Sequence, residues 1–373
     1  MALTVKSNEL LEALQQIIKV IPSRSTLPIL GCAYFDFNEE KIKIRSTNLE
    51  TSISVDLNYA GEKPEEPIAI PINRLLEITA NIKDPTIEFD FSTKNTLKLK
   101  TSSGSFSISG QDYKEFPSDP IMKEAVSLTI NTKTLLEIID FTKTSVSRDE
   151  LKPALQGILL KINTNQILGV STDGHRLSRI ITEKENTESH EFEIIAPMKF
   201  LTILSSFINK TENMEFEISS NYMSLSYKNI SLFSKIIKDT YPDYEKVIPL
   251  DNNKTLTVEK KNLTEAIKRV SIFSNRATKQ ITFNISSNRL ELTTEDAENA
   301  ASGKETIDCV FNNDENLKIG FNASFVLDAM TATTGEKVNM FLNTSLSAAI
   351  ISEKNEKNKT DRLILLMPIR LND

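Results

Sequence analysis

The chain predicts an α+β protein of three like domains, each made of two β-α-β-β-β repeats, and two observations carry that prediction. The first is a phrase written six times, in which a strand-type residue is followed five positions later by an apolar-rich tetrad. It runs Val5 with Leu10-Leu11-Glu12-Ala13, Ile70 with Leu75-Leu76-Glu77-Ile78, and Ile130 with Leu135-Leu136-Glu137-Ile138. It continues as Ile195 with Phe200-Leu201-Thr202-Ile203, Val258 with Leu263-Thr264-Glu265-Ala266, and Phe321 with Val326-Leu327-Asp328-Ala329. The second is that the odd copies open almost identically, as Leu3-Thr4-Val5, Leu128-Thr129-Ile130 and Leu256-Thr257-Val258, so the true repeat is a pair of phrases. Evenly spaced copies of a strand-then-helix phrase mark a repeated architecture.

Apolar residues alternate before each tetrad, as in Leu3 and Val5, and then fall at helical spacing, as in Leu10, Leu11, Leu14, Ile17 and Ile18. Ser7, Asn131 and Asn322 offer cap-type side chains between strand and helix. Short alternating strands follow, the first set being Ala33 to Phe37, Lys41 to Ile44 and Ser52 to Val55. Polar turns recur after the second strand of each odd copy, at Ser46-Thr47-Asn48, Ser171-Thr172-Asp173 and Thr293-Thr294-Glu295. The first two pairs close alike, with Tyr113-Lys114-Glu115-Phe116-Pro117 and Tyr241-Pro242-Asp243-Tyr244. Domains are therefore expected at 1–122, 123–250 and 251–373, each with two helices on one face of its sheets. Domains of about 125 residues are too large for a stacked solenoid. They suggest a curved arc of complete domains, and such an arc can close head to tail into a ring by symmetric dimerisation.

A length of 373 residues fits two or three domains, each able to bury a core. The opening Met1-Ala2-Leu3-Thr4 has no basic segment followed by an apolar run, and no apolar stretch is long enough to span a bilayer. With two cysteines, Cys32 and Cys309, no disulfide framework is implied, and a cytoplasmic location with no membrane contact is expected. The net charge of −7 excludes a uniformly basic surface but not one basic face.

Thr172-Asp173-Gly174-His175-Arg176 sets a histidine beside an acid, the raw material of a catalytic pair. No nucleophile or metal-ligand motif accompanies it, and no H-E-x-x-H, C-x-x-C or G-x-S-x-G occurs. Gly169 and Gly174 imitate phosphate-loop spacing, but His175-Arg176 replaces Lys-Ser/Thr and no helical pattern follows. The residues read best as a tight turn in which Gly174 takes a positive φ and Asp173 closes the loop. No catalytic residue, metal site or cofactor is expected.

The sequence resembles the bacterial sliding clamp family, the β subunits of the replicative DNA polymerase. Thr172-Asp173-Gly174-His175-Arg176-Leu177 carries the resemblance most strongly, followed by Met367-Pro368-Ile369-Arg370-Leu371. Thr26-Leu27-Pro28-Ile29-Leu30 and Tyr241-Pro242-Asp243-Tyr244 support it, and it covers the whole chain. The resemblance implies a clamp fold in which two subunits form a ring lined by twelve helices and walled by sheets. Such a ring encircles duplex DNA without reading its sequence and tethers polymerase by topology.

It further implies a pocket for partner peptides with Leu and Phe anchors, between the second and third domains. Its wall would comprise Leu155, Thr172, Gly174, His175, Arg176 and Leu177, then Pro242, Lys246, Val247 and Leu346, then Leu366 and the tail Met367, Pro368, Ile369, Arg370 and Leu371. Two buried anchors contribute roughly 3–6 kcal/mol before ordering costs, so binding would be exchangeable. Lys246 stands where Arg is common, Thr278 where an aromatic can sit, and Asn372-Asp373 extend past the usual end. The dimer contact implied is Phe106 and Ile108 of one subunit against Ile272 and Phe273 of the other, with Lys98 and Lys100 facing Glu298 or Glu305 at the rim. DNA-facing candidates are Arg24, Arg74, Arg148 and Lys199, with Lys268 and Arg276. Phosphate contacts from such residues position a duplex without specifying sequence.

The partners implied are duplex DNA, a second copy of the chain, the polymerase α subunit, a separate ATP-driven clamp loader, and other polymerases and repair proteins carrying clamp-binding peptides. Two other readings stand beside this one: a monomeric repeat scaffold that binds peptides without encircling DNA, and an enzyme using Asp173 and His175.

Overall fold

Each of the six phrases folds as a strand running directly into a helix, and three further strands follow each helix. The computed structural model describes residues 2–118, 121–183, 191–208, 213–355 and 359–371; Asn372 and Asp373 lie outside them. Repeat 1 comprises β1 (Ala2–Lys6), α1 (Ser7–Ile17), β2 (Cys32–Phe37), β3 (Lys41–Thr47) and β4 (Thr51–Asn58), with a short β5 (Ala60–Gly61). Repeat 2 comprises β6 (Ile68–Pro71), α2 (Ile72–Asn81), β7 (Thr86–Asp90), β8 (Thr96–Lys100) and β9 (Ser105–Ser109). Repeat 3 comprises β10 (Val126–Asn131), α3 (Thr132–Thr142), β11 (Gly157–Ile162), β12 (Gln166–Thr172) and β13 (Arg176–Glu183). Repeat 4 comprises β14 (Phe192–Pro197), α4 (Met198–Ser205), β15 (Asn213–Ile218), β16 (Tyr222–Tyr227) and β17 (Ile230–Lys235). Repeat 5 comprises β18 (Lys254–Glu259), α5 (Lys260–Ser271), β19 (Gln280–Ser286), β20 (Arg289–Asp296) and β21 (Ala301–Asp308), with a short β22 (Val310–Phe311). Repeat 6 comprises β23 (Leu317–Asn322), α6 (Ala323–Ala332), β24 (Lys337–Leu342), β25 (Ala349–Asn355) and β26 (Thr360–Leu366).

The helices form because one face of each is apolar at helical spacing. In α1 that face is Leu10, Ala13, Leu14 and Ile17, all buried, and each such side chain contributes roughly 1.5–3 kcal/mol by leaving water. Asn131 and Asn322 cap as expected, their Oδ1 atoms each accepting a backbone N–H at 3.0 Å, from Lys133 and Ser324. Ser7 does not cap. Lys6 holds the cap position of α1, and the Ser7 hydroxyl donates instead to the Asp84 carbonyl at 2.5 Å.

A single repeat cannot close its own sheet, because its opening strand pairs with the other member of its pair. β1 pairs with β7 and β6 with β2; β10 pairs with β15 and β14 with β11; β18 pairs with β24 and β23 with β19. This exchange makes the pair the indivisible element.

The chain packs as two compact bodies. The first, residues 1–133 with 199–236, holds a five-stranded sheet, β5-β1-β7-β8-β9, and an eight-stranded sheet, β10-β15-β16-β17-β4-β3-β2-β6. The second, residues 134–198 with 237–373, holds a nine-stranded sheet, β14-β11-β12-β13-β26-β25-β24-β18-β22, and a four-stranded sheet, β21-β20-β19-β23. The middle third of the chain is shared between them because β17 pairs with β4 and β13 with β26, fusing strands of neighbouring pairs into continuous sheets. In the first body Phe35 meets Phe89 edge-on at 6.2 Å; in the second Phe283 meets Phe321 likewise at 5.3 Å. Among the described residues no helix is long and apolar enough to cross a membrane.

Candidate partner-binding site and open strand edges

The turn between β12 and β13 owes its shape to two side chains. Asp173 Oδ1 accepts the N–H groups of His175 at 2.9 Å and Arg176 at 3.0 Å. The Thr172 hydroxyl donates to the Arg176 carbonyl at 2.6 Å and accepts the Gly174 N–H at 3.1 Å. Gly174 takes φ +90° with open space around it, a conformation that costs other L-residues about 1–2 kcal/mol. Gly169 is needed for packing: a Cβ there would strike Ile138 of α3, so this glycine lets helix and strand approach and forms no part of a phosphate loop.

Arg176 is pinned from three directions. Its guanidinium lies 3.0 Å from Asp173 and 2.5 Å from Asp328 of α6, and 4.3 Å above the Phe325 ring. His175 is exposed and stacks on the same Phe325 at 6.4 Å. A histidine so placed is held by an aromatic wall, with Asp173 engaged by backbone N–H groups and Arg176.

Beneath this turn lies an apolar cluster that joins the implied pocket segments. Ala154, Leu177, Tyr244, Ala348 and Leu365 are buried in it, with Tyr241, Ile248 and Phe341 packed alongside. Leu155, Leu177 and Leu366 are themselves buried, whereas Val247, Leu346 and Met367 are 53%, 60% and 42% exposed. The structure therefore supplies a buried floor and an apolar rim facing solvent. Burial raises the phenol of Tyr241 above its ordinary value and that of Tyr244 to about 12, so both rings are neutral hydrogen-bond donors. Lys246 pairs with Asp243 at 2.7 Å and, beside it, holds that carboxyl below the ordinary range. Pro242 is exposed, and the tail follows β26 with the Met367 N–H donating to the His175 carbonyl at 2.9 Å. Further on, the Ile369 N–H donates to the Gly320 carbonyl at 2.8 Å and Leu371 packs on Gly320, while Pro368 is half-buried and Arg370 exposed.

Sequence spacing does not single out Phe325, Asp328 or Gly320 for this site. Asp328 belongs to a phrase that reads only as helix, and Phe325 precedes that phrase's apolar tetrad as one more apolar residue.

Of the residues implied at the dimer contact, Phe106, Ile272 and Phe273 are 41%, 76% and 45% exposed. Ile108 is 2% exposed in the single chain. Lys100 is held at 2.8 Å by Glu88 and at 3.1 Å by Asp90, and Glu305 at 2.6 Å by Arg269. Those two rim charges are satisfied within the chain. Arg24, Arg74, Arg148, Lys199, Lys268 and Arg276 are all exposed. Arg74 lies on α2, Lys199 on α4 and Lys268 on α5; Arg24, Arg148 and Arg276 lie in loops.

The joints between pairs follow one rule. Along one rung, Leu128 pairs with Phe216, Phe216 with Leu225, Leu225 with Leu232, and Leu232 crosses to Ile53 and then Ser46. The matching rung in the second body runs Leu256, Met340, Ile351, Ile364, then Ser178 and Ser171. Among the described residues two matching half-rungs stay open: Leu3, Phe89, Leu99 and Phe106 end at β9, and Thr293 and Lys304 end at β21.

These features define a protein built of paired repeats, with an apolar rim beside the β12–β13 turn and, among its sheet edges, β9 and β21 as the last strands of repeats that join no other repeat. Three family models match it in succession: the N-terminal domain of the DNA polymerase III beta subunit over residues 1–120, the central domain over 129–243 and the C-terminal domain over 245–370. Beta sliding clamps of Haemophilus influenzae and Streptococcus pneumoniae are each 26% identical to it, over 100% and 99% of both chains. The crystal structures of the Pseudomonas aeruginosa DNA polymerase III beta subunit and the Bacillus subtilis sliding clamp share its fold over 100% of both chains. Both have a TM-score of 0.91, at 24% and 23% identity. A further Pseudomonas aeruginosa structure, with TM-score 0.89, is described as bound to griselimycin. The chain belongs to the DNA polymerase III beta subunit family. It is a sliding clamp, a processivity factor and not an enzyme.

Proposed function

We propose that two copies of this chain close head to tail around duplex DNA and tether the replicative polymerase through its α subunit. The observation that carries this reading is the open half-rungs. Last strands of odd and even repeats join twice within the chain, β4 to β17 and β13 to β26, in the same register both times. The remaining pair, β21 and β9, can obey the rule only between chains, which sets Phe106 opposite Lys304. Ile272 and Phe273 then gain a partner for apolar surface that a lone chain leaves in water. A closed arrangement uses both edges, whereas an open one would leave templates for uncontrolled strand addition.

The three domains are placed at 1–122, 123–250 and 251–373. The exposed basic residues Arg24, Arg74, Arg148 and Lys199, with Lys268 and Arg276, would bind phosphates without reading sequence, so retention on DNA would rest on enclosure and weaken with salt only while the ring is open. The apolar site around Leu177, Val247, Leu346 and Met367 would accept peptides from the polymerase, the clamp loader, other polymerases and repair proteins in the cytoplasm. The griselimycin complex of the related structure supports a ligand site on this fold.

Small-angle scattering combined with retention on circular and linear DNA tests the reading. A particle of two 41.9 kDa chains with a hollow distance distribution, retained on circles and lost from linear duplex ends, is expected. A persistent monomer at high concentration would replace it with a peptide-binding scaffold.

A further inference from the structure

Beyond β26 the chain crosses to the edge of the four-stranded sheet, where it makes an isolated antiparallel bridge between Ile369 and Gly320 of β23. The Ile369 N–H donates to the Gly320 carbonyl at 2.8 Å, and the Met367 N–H, two residues earlier, donates to the His175 carbonyl at 2.9 Å. The tail is thus suspended between two backbone acceptors, one on the pocket turn and one on β23. Gly320 is buried, and its backbone needs no positive φ. It is required for a different reason: a Cβ there would lie 2.8 Å from the Ile369 carbonyl oxygen and 2.7 Å from Leu371 Cδ2. The leucine tip can swing aside, but the carbonyl belongs to the bridging backbone, so any side chain at 320 lifts the tail from the sheet.

We propose that Gly320 is a positioning residue for the partner-peptide site. By having no side chain it lets Ile369 dock on β23, and that docking fixes Met367 and Pro368 as the pocket's tail-side wall. This rests on the reading of that site as a peptide site. The residue touches no ligand and acts through the tail. With the bridge lost, the wall hangs from a single hydrogen bond at Met367, and a peptide must order the tail as it binds, which costs affinity.

The test measures two quantities on the full-length chain with Gly320→Ala: binding of a fluorescein-labelled peptide carrying a Leu-Phe pair, by anisotropy, and hydrogen exchange of the Ile369 amide. The expected result is faster exchange at Ile369, with dimer mass and the protection of β19 unchanged, and peptide binding weakened about tenfold. Rapid Ile369 exchange with unchanged affinity overturns the proposal, as does an unchanged amide. Should Gly320→Ala fail to fold, exchange of the Ile369 amide is measured in the unsubstituted chain with and without the peptide: protection already present without peptide is expected, and an amide that becomes protected only when the peptide binds overturns the proposal. Absence of peptide binding by the unsubstituted chain overturns the peptide-site reading itself, and the proposal with it.

Discussion

Leu49 occupies in the first repeat the position Gly174 occupies in the third, in the same turn and the same left-handed conformation, with φ of 77° and 90°. The hydrogen bonds match one for one. Asn48 Oδ1 accepts the N–H groups of Glu50 at 3.1 Å and Thr51 at 2.7 Å, as Asp173 does from His175 and Arg176. The Thr47 hydroxyl accepts the Leu49 N–H at 3.1 Å, as Thr172 does from Gly174. The Lys235 N–H donates to the Glu50 carbonyl at 2.8 Å, as Met367 donates to His175. One turn is therefore built twice, once with a strained, 44% exposed leucine at its tip.

Leu49→Gly should raise stability. Releasing a left-handed leucine gains about 1–2 kcal/mol, and the added freedom of glycine in the unfolded chain costs about 0.4–1 kcal/mol. A net gain of about 0.5–1 kcal/mol is expected in chemical denaturation. A loss would show that the leucine makes a contact worth more than its strain.

Arg176 and Asp328 should differ in weight. Arg176→Ala leaves Asp173, itself only 16% exposed, without its cation, and about 2 kcal/mol of stability should be lost. Asp328 is 43% exposed, so Asp328→Asn should cost less than about 1 kcal/mol. Equal losses in urea titrations would mean that the tie to α6, not the turn, is the main role of Arg176.

Alkaline pH should weaken the fold through two buried acids. Burial raises the Cys32 thiol from 9.0 to about 11, and burial with the neighbouring Glu245 raises the Tyr244 phenol from 10.0 to about 12. The folded state holds both groups neutral while the unfolded chain ionises them first. Their stabilisation is complete below the unfolded values and is lost as pH rises from 9.0 to about 11 for Cys32 and from 10.0 to about 12 for Tyr244. Melting temperatures recorded across that range should fall, and Cys32→Ala should flatten the earlier part of the decline. An unchanged profile in Cys32→Ala would remove the thiol from the account.

The register proposed for the contact between chains can be read directly. Phe106→Cys combined with Lys304→Cys should oxidise to a cross-linked dimer, because directly opposed Cβ atoms lie about 4.5–5.5 Å apart. Phe106→Cys with Glu305→Cys should not, since one residue further along β21 points to the other face. Cross-linking of the second pair but not the first, on a denaturing gel, would reject the rule taken from the inner joints.

Much of the architecture is legible in local spacing. The helix faces, the strand alternation and the Asp173-Gly174 turn each depend on residues within a few positions of one another, so periodicity reveals them. The Ser7 cap fails because a hydroxyl chooses among all nearby acceptors, and the Asp84 carbonyl, brought close by the fold, wins. Phe106 and Ile108 share one strand face and look equivalent in sequence; only where the sheet ends decides that Ile108 is buried and Phe106 is not.

The sequence by itself determined the six repeats, their pairing, the turn and the apolar tail, because each is written in nearest-neighbour chemistry. The tertiary structure alone decided which strand pairs with which: the exchange of opening strands, the two equal joints, and the open edges β9 and β21. It also brought Phe325 and Asp328 to the turn and the tail to Gly320. Strand partners and close approaches between segments far apart in the chain are set by long-range register and shape, which a local period does not encode.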